Sequence, residues 1–109
     1  MNIKALDQAA EAATDLLKAL SSPIRLKILC QLLEGEKSVG QIAAMLHVRD
    51  TLISQHLALL RRDGLVRNRR DAQTIYYSLA STEAERLLHT LHELFCGAAE
   101  SSCSEDRKA

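Results

Sequence analysis

Three cysteines carry the most reactive side chains in this sequence of 109 residues: Cys30, Cys96 and Cys103. A cysteine thiolate is a nucleophile and a metal ligand, and its pKa decides how readily it reacts. Two thiols can form a disulfide when their Cα atoms lie within roughly 7 Å, and inserted sulfur atoms relax that limit. Cysteine is also a small hydrophobe that is often buried. The residues alone therefore leave buried thiols, metal ligands and redox-active groups as open interpretations.

Arginines are concentrated in one part of the sequence. Six arginines between Arg49 and Arg70 are opposed there only by Asp50 and Asp63, a local balance of +4, although the whole chain has 14 basic and 14 acidic residues. The rest of the chain must then carry −4. This asymmetry predicts one face for an anionic partner. An ordinary solvated arginine-rich surface is the alternative, because arginine clusters also serve structure.

The length and composition predict one small domain. Hydrophobic residues make up 47% of the chain, which allows a packed core, although a chain this short buries a modest fraction of its surface. We expect a domain over residues 1–97 and a polar, flexible tail over residues 98–109. No apolar run approaches the ~20 residues that span a bilayer, and the N-terminal stretch lacks a signal-peptide core. We therefore expect a cytoplasmic protein, in which cysteines do not form permanent structural disulfides.

Helical spacing of apolar residues and capping signals predict four helices in the first part of the chain. The first covers residues 4–20, and Ser22 caps a second that starts with Pro23 and stops before Gly35. Ser38-Val39-Gly40-Gln41 matches a capping box and opens a short third helix. After a break at residues 47–50, Asp50 or Thr51 caps a fourth helix that ends at Gly64.

A β-hairpin and a last helix follow. Residues 65–70 and 73–79 have strand character, and Asp71-Ala72 forms the tight connection between them. Ser81 or Thr82 caps the last helix, with acidic residues in its first turn. The predicted fold is mainly α with a β-hairpin wing, a winged helix-turn-helix of order ααααββα. The first and last helices carry leucine stripes outside this module, so we expect them to form a homodimer interface; packing back on their own domain is the alternative.

This arrangement is suited to double-stranded DNA. A helix about 10–12 Å across fits the major groove, and the fourth helix carries polar residues near its start. Gln55 can pair with adenine, Thr51 suits a phosphate oxygen at a helix start, and wing arginines can follow the backbone or enter the minor groove. A symmetric dimer predicts an inverted-repeat operator with half-sites near 10 or 20 base pairs apart. The predicted DNA-binding residues are Arg49, Thr51, Ser54, Gln55, His56, Arg61 (or Arg62), Arg67, Arg69 and Arg70. His56 could instead be a core or capping histidine.

Two segments carry a family resemblance that covers about residues 14 to 96. They are SSPIRLKILCQLLEGEKSVGQIA and SQHLALLRRDGLVRNRRDAQTIYYSL, and together they resemble the ArsR family of winged-helix transcriptional regulators. The two cysteines in KILCQLLEGE and LHELFC are similar to those of its dithiol subgroup, of the BigR, SqrR and HlyU type. That resemblance implies that Cys30 and Cys96 meet within one subunit and sense reactive sulfur species such as persulfides and polysulfides.

The same resemblance implies the response. A disulfide or polysulfide bridge between the two thiols releases operator DNA and derepresses genes for sulfide handling or virulence, whereas HlyU-like members relieve silencing and so act like activators. Cys103 has no counterpart in this pattern; it is either an incidental thiol or a resolving partner for Cys96.

Other functions are less well matched by the residues. One ArsR metal site places thiolates where this chain has Ser38-Val39-Gly40-Gln41, and another requires ligands where it has Leu94 and Gly97, so we expect no metal and no cofactor. His89, His92 and Glu93 leave a metal-responsive repressor as an alternative. A winged helix that binds a protein in place of DNA is a second alternative. An enzyme is not expected, because no phosphate loop, nucleophile elbow or catalytic carboxylate pair occurs.

Overall fold

The computed structural model describes residues 2–96, which form five helices and one small antiparallel sheet. The elements in chain order are α1 (Ile3–Leu20), α2 (Pro23–Leu33), β1 (Lys37–Ser38), α3 (Val39–Leu46), α4 (Asp50–Arg62), β2 (Val66–Asp71), β3 (Thr74–Leu79) and α5 (Thr82–Cys96). A helix-turn-helix followed by a hairpin is a winged helix-turn-helix, so the predicted fold class is confirmed. The tail predicted over residues 98–109 lies outside the described residues.

Three of the predicted helix starts have the expected caps. The Ser22 hydroxyl accepts from the backbone N–H of Arg25 at 3.4 Å, directly before Pro23. Ser38 and Gln41 form a reciprocal capping box at 3.2 and 2.8 Å. The Ser81 hydroxyl accepts from the N–H of Ala84 at 3.1 Å. Each contact satisfies a backbone donor that the first helical turn leaves unpaired.

The start of α4 differs from the prediction that Asp50 or Thr51 caps it. Arg49 is the N-cap, no side chain caps the helix, and Asp50 lies in the first turn. The reason lies in the preceding turn, where His47 ends α3 in the left-handed region with a φ of 58° and the N–H of Val48 bonds back to the carbonyl of Ala43 at 3.1 Å. This short turn brings the chain into the helix one residue earlier.

The sheet contains one strand more than the sequence predicts. Its order is β1-β3-β2, and the two-residue β1 pairs with β3; a strand this short has no period that a sequence pattern can reveal. The hairpin turn is also displaced by one residue. Asp71 pairs with Thr74, so Ala72 and Gln73 form the turn, and Ala72 has a φ of 58°. The predicted Asp71-Ala72 connection is therefore wrong, because Asp71 completes the ladder.

The core lies between α2, α3, α4, α5 and the base of the sheet. Its largest fully buried side chains are Ile28, Leu29, Ile42, Ile53, Leu57, Leu60 and Leu88. Three of them form the inner face of α4, as predicted, and α5 contributes Leu88 together with Ala84. Because the described residues include no buried polar or charged residue, this core is held together by apolar packing.

Most of α1 lies outside this core. Only Ala19 and Leu20 of its 18 residues are buried, and Ile3 is 71% exposed. Arg25 attaches the end of α1 to α2, since its Nε donates to the carbonyl of Ala19 at 3.0 Å. Within residues 2–96, no helix is both long enough and apolar enough to cross a membrane.

A truncation in the core should be far more costly than the same truncation at the surface. Leu57 is fully buried on α4, whereas Leu52 on the same helix is 39% exposed. We expect Leu57→Ala to lower the free energy of unfolding by about 2–5 kcal/mol, because it removes apolar contacts and leaves a cavity. Urea unfolding followed by circular dichroism measures both variants. Equal losses for Leu57→Ala and Leu52→Ala would contradict the described core.

Candidate nucleic-acid interface and thiol positions

The outer face of α4 is polar and exposed. The inner face is held in the core by Ile53, Leu57 and Leu60, and the 3.6-residue period then turns other positions outward. Thr51, Ser54 and Gln55 are all exposed in the first two turns. These three predicted DNA-binding residues therefore lie on a helix surface that can enter a major groove.

An open depression lies at the start of α4. It has a volume of about 500 Å³ and brings together three residues predicted to bind DNA, Arg49, Thr51 and Gln55. Since no side chain caps α4, the first N–H groups of this helix remain available to an anion. The depression is lined by His47, Val48, Arg49, Thr51, Leu52 and Gln55. A guanidinium, a hydroxyl and helix N–H groups together suit a phosphate oxygen.

His56 is not on that outer face. It is half-buried, and its Nδ1 atom is buried without a hydrogen-bond partner among residues 2–96. Burial lowers the pKa of His56 from its ordinary value, and the positive charge of Arg25 lowers it further. A neutral, inward-facing imidazole is poorly placed to contact a base, so its position favours the alternative that His56 is a histidine at the edge of the core.

The wing presents its arginines on two faces. Side chains alternate along a strand, so Arg70 lies on the same face as buried Val66, and Arg67 lies on the opposite face. Both arginines are exposed. The wing also contacts α4, because Arg61 Nη1 donates to Asn68 Oδ1 at 3.5 Å. The arginines between Arg49 and Arg70 therefore lie at both ends of α4 and on both faces of the adjoining wing.

Arg69 differs from the other wing arginines because its guanidinium is already engaged. Its Nε and Nη2 donate to the two carboxylate oxygens of Glu36 at 2.7 and 2.8 Å, and it lies 4.9 Å from the ring centroid of Tyr76. The hydrogen bond from Arg69 lowers the pKa of Glu36. Sequence reasoning missed Glu36, which is 33 residues away, whereas the Tyr76 contact follows from strand register, because Arg69 and Tyr76 are cross-strand partners.

The cysteines lie on two helices that pack together. Cys30 is a free thiol near the end of α2, half-buried against the core, and burial raises its pKa. Cys96 is the last residue of α5 and is half-buried. Helices α2 and α5 contact each other, but these two sulfurs are not joined, because Cys30 is free and Cys96 is disulfide-bonded. Cys103 lies outside the described residues.

The histidines of α5 do not form a metal-binding group with their neighbours. Across residues 2–96, no three His, Cys, Asp or Glu side chains are grouped so that they could hold a metal ion. His89 Nε2 lies 4.0 Å from a carboxylate oxygen of Glu85, one helical turn away on an exposed surface. The predicted alternative set of His89, His92 and Glu93 is therefore not assembled in the described part of the chain.

An exposed polar helix face, a preceding turn and an arginine-bearing hairpin define a winged helix-turn-helix DNA-binding domain. A family model described as "Bacterial regulatory protein, arsR family" matches residues 22–68. The transcriptional activator HlyU of Vibrio cholerae is 46% identical over 98 residues, which are 90% of this chain and 91% of HlyU. The structure of reduced HlyU matches with a TM-score of 0.82 at 45% identity, covering 85% of this chain and 98% of that one.

Two further similar proteins are also DNA-binding regulators or domains. The biofilm growth-associated repressor of Agrobacterium fabrum is 41% identical over 98 residues, covering 90% of this chain and 84% of the repressor. A homodimeric winged helix-turn-helix DNA-binding domain from Mycobacterium bovis has a TM-score of 0.68 at 34% identity, covering 84% of this chain and 82% of that one. The chain belongs to the ArsR family of transcriptional regulators. These relatives are regulators and not enzymes.

The environment of His56 predicts the direction of its titration. Since its folded-state pKa is lowered, the unfolded chain binds more protons below about pH 6.5, and protonation of His56 therefore opposes folding as the pH falls. We expect the ring protons of His56 to titrate with a midpoint below 6.5 in an NMR experiment, with His56→Gln identifying the resonance. A midpoint at or above 6.5 would show that the ring is solvated.

Proposed function

We propose that this chain is a homodimeric repressor that binds an inverted-repeat operator and releases it when Cys30 and Cys96 react with persulfides or polysulfides. The observation that carries DNA binding is the exposed polar face of α4, fixed by its buried inner face and flanked by the arginine wing. Each subunit places α4 in a major groove and the wing on the adjacent backbone or minor groove.

The residues divide into base contacts and phosphate contacts. Ser54 and Gln55 are placed to reach base edges, and the amide of Gln55 can pair with adenine in a bidentate manner. Arg49 and Thr51, which share the depression at the start of α4, bind phosphate. Phosphate contacts set position and affinity, whereas base contacts set specificity. The arginines assigned to the DNA backbone or minor groove are Arg61, Arg67 and Arg70.

The surfaces of α1 and α5 support a dimer. Both helices expose large apolar side chains, which include Ile3 and Leu17 on α1 and Leu94 and Phe95 on α5. A second copy would cover these surfaces, and the similar Mycobacterium bovis domain is described as homodimeric. A dimer also places two copies of α4 at the fixed separation that an inverted repeat requires.

The packing of α2 against α5 supports a two-thiol sensor. His92 and Cys96 continue from buried Leu88 at four-residue spacing, and both are half-buried, whereas residues 93–95 are exposed. Cys96 therefore lies near the inner side of α5, toward which α2 packs. The relative HlyU has been solved in a form called reduced, which is consistent with thiol chemistry in this subgroup.

The chemistry proceeds in two balanced steps after reduction of the protein. The Cys96 thiolate attacks the terminal sulfur of a hydropersulfide, RS–SH, forming Cys96–S–SH and releasing RS⁻. The Cys30 thiol then attacks the Sγ atom of Cys96 and displaces the outer sulfur, which gives Cys30–S–S–Cys96 and releases H₂S. Because burial raises the pKa of Cys30, this thiol suits the second step, in which its target is already held nearby. A longer sulfur chain on Cys96 would leave additional sulfur atoms in the bridge.

A bridge would transmit its effect through α5. It would hold the end of α2 to the end of α5, and α5 lies at the proposed dimer interface. A shift there changes the separation of the two α4 helices relative to the operator. A coupling free energy of about 1–3 kcal/mol changes affinity roughly 5- to 150-fold. A loss of affinity of this size would release the protein from its operator.

A second mode of action has one observation in its favour. HlyU of Vibrio cholerae is called a transcriptional activator, whereas the Agrobacterium fabrum relative is called a repressor. Activation by displacing a silencing protein needs the same DNA contacts as repression. In this alternative, the protein responds to general oxidants. A reporter placed downstream of the operator separates the two modes, since deletion of the gene raises expression under repression and lowers it under anti-silencing.

DNA binding is tested with two variants, one that should lose a base contact and one that should lose a phosphate contact. On a duplex selected by the wild-type protein from a random-sequence pool, we expect Gln55→Ala to lose about 1–3 kcal/mol of binding. Arg67→Ala should weaken selected and scrambled duplexes alike and lower the salt slope by about 0.9 per contact, or roughly 1.8 per dimer. Fluorescence anisotropy across a salt series measures both, with Lys4→Ala on α1 as the charge control. If the wild type prefers no duplex over a scrambled one, and its affinity does not fall as salt rises, the proposal fails.

Thiol sensing is tested on protein that has first been fully reduced. After treatment with inorganic polysulfide, we expect the wild type to release DNA and to contain an intramolecular bridge by intact mass. Cys30→Ser and Cys96→Ser should each remain on DNA without a bridge, whereas Cys103→Ser should behave as the wild type. If Cys30→Ser still releases DNA, or if only Cys103→Ser abolishes the bridge, the responsive pair is not Cys30 with Cys96.

A further inference from the structure

An ion pair just beyond α2 adds a side-chain contact between the wing and the rest of the domain. Glu36 lies in the short segment between α2 and β1, and both of its carboxylate oxygens accept from Arg69 at 2.7 and 2.8 Å. The guanidinium also lies 4.9 Å from the Tyr76 ring centroid on the neighbouring strand. A bidentate pair with a ring contact restricts both the position and the plane of the guanidinium.

The segment that carries Glu36 is itself held in place. Lys37 Nζ donates to the carbonyl of Gln31 at 3.0 Å and to Glu34 Oε1 at 3.1 Å, so it joins β1 to the last turn of α2. In addition, Lys37 pairs with Tyr77 across the sheet. Glu36 therefore lies in a segment that is hydrogen-bonded to α2 and paired with β3, and the wing can be positioned against that segment.

We propose that Glu36 is a positioning residue for DNA binding, and that Arg69 holds the wing against it and does not bind DNA. The Nε and Nη2 atoms that would bind a phosphate in a bidentate manner are both occupied by Glu36. The free arginines on either side, Arg67 and Arg70, carry the wing contacts. This inference rests on the proposed DNA-binding function, and it removes Arg69 from the contacts first predicted for the wing.

Electrostatics alone makes the opposite prediction for Glu36. Its carboxylate is a negative charge on the arginine-rich surface, so its removal should strengthen attraction to DNA phosphates. If the carboxylate positions the wing, its removal should weaken binding to the selected duplex, because Arg67 and Arg70 would no longer be held in register with the backbone. The two explanations therefore differ in the sign of the effect.

The experiment compares Glu36→Gln with Glu34→Gln. Both remove one negative charge within the same short segment, but the Glu34 contact goes to Lys37 and not to the wing, and the amide oxygen that Glu34→Gln introduces can still accept from Lys37 Nζ. On a duplex selected by the wild type and on a scrambled one, we expect Glu36→Gln to lower the preference for the selected duplex by about fivefold or more, since the exposed pair occurs twice in a dimer, with Glu34→Gln within about twofold of the wild type. Binding of Glu36→Gln that equals or exceeds that of Glu34→Gln would overturn the inference.

A charge swap separates positioning from direct contact and from misfolding. Glu36→Arg and Arg69→Glu should each reduce the preference, and the double variant should recover most of it, because an ion pair again joins the two positions. If Arg69 binds phosphate, the double variant stays weak and Arg69→Ala lowers the salt slope as Arg67→Ala does. A wild type with no preferred duplex would instead reject the DNA-binding function itself.

Discussion

The burial of one side of α4 is the constraint on which the candidate DNA-binding surface depends. Ile53, Leu57 and Leu60 are each fully buried, and a helix rotated by one residue would expose apolar atoms and bury polar ones. Burying a leucine or isoleucine side chain contributes about 1.5–3 kcal/mol, so this rotation is strongly disfavoured. The rigid core thereby sets which side chains can face a groove, and Gln55 is placed by residues that never approach DNA.

The helices and their faces were predictable because they depend on local patterns. Apolar spacing identified the inner face of α4. Ser22, Ser38 and Ser81 marked the starts of three helices, because each caps a helix N-terminus with its side chain. The start of α4 was missed because its position follows from the backbone of the His47 turn, which no side-chain signal marks. The hairpin turn was missed by one residue because Ala72 adopts a φ of 58° without being glycine or asparagine.

Individual site residues were harder to assign than the surface that carries them. The clustering of arginines predicted one basic face, but composition treats every arginine alike and does not show which arginines share a face. Arg69 is distinguished only by Glu36, a partner distant in the chain and brought close by the fold. His56 is distinguished by its place at the edge of the core. Both depend on tertiary contacts, which periodicity does not record.

The exposure of α1 has a consequence for how this protein behaves when it is dilute. An isolated helix of this size is marginal in water, and α1 is attached to the winged core mainly by Leu16, Ala19 and Leu20 in its last turns and by Arg25. Its backbone amides should therefore exchange with solvent far sooner than those of α4 whenever no second subunit covers it. Dissociation of a dimer and fraying of α1 would then be one coupled event. The stability of α1 would therefore depend on the concentration of the protein.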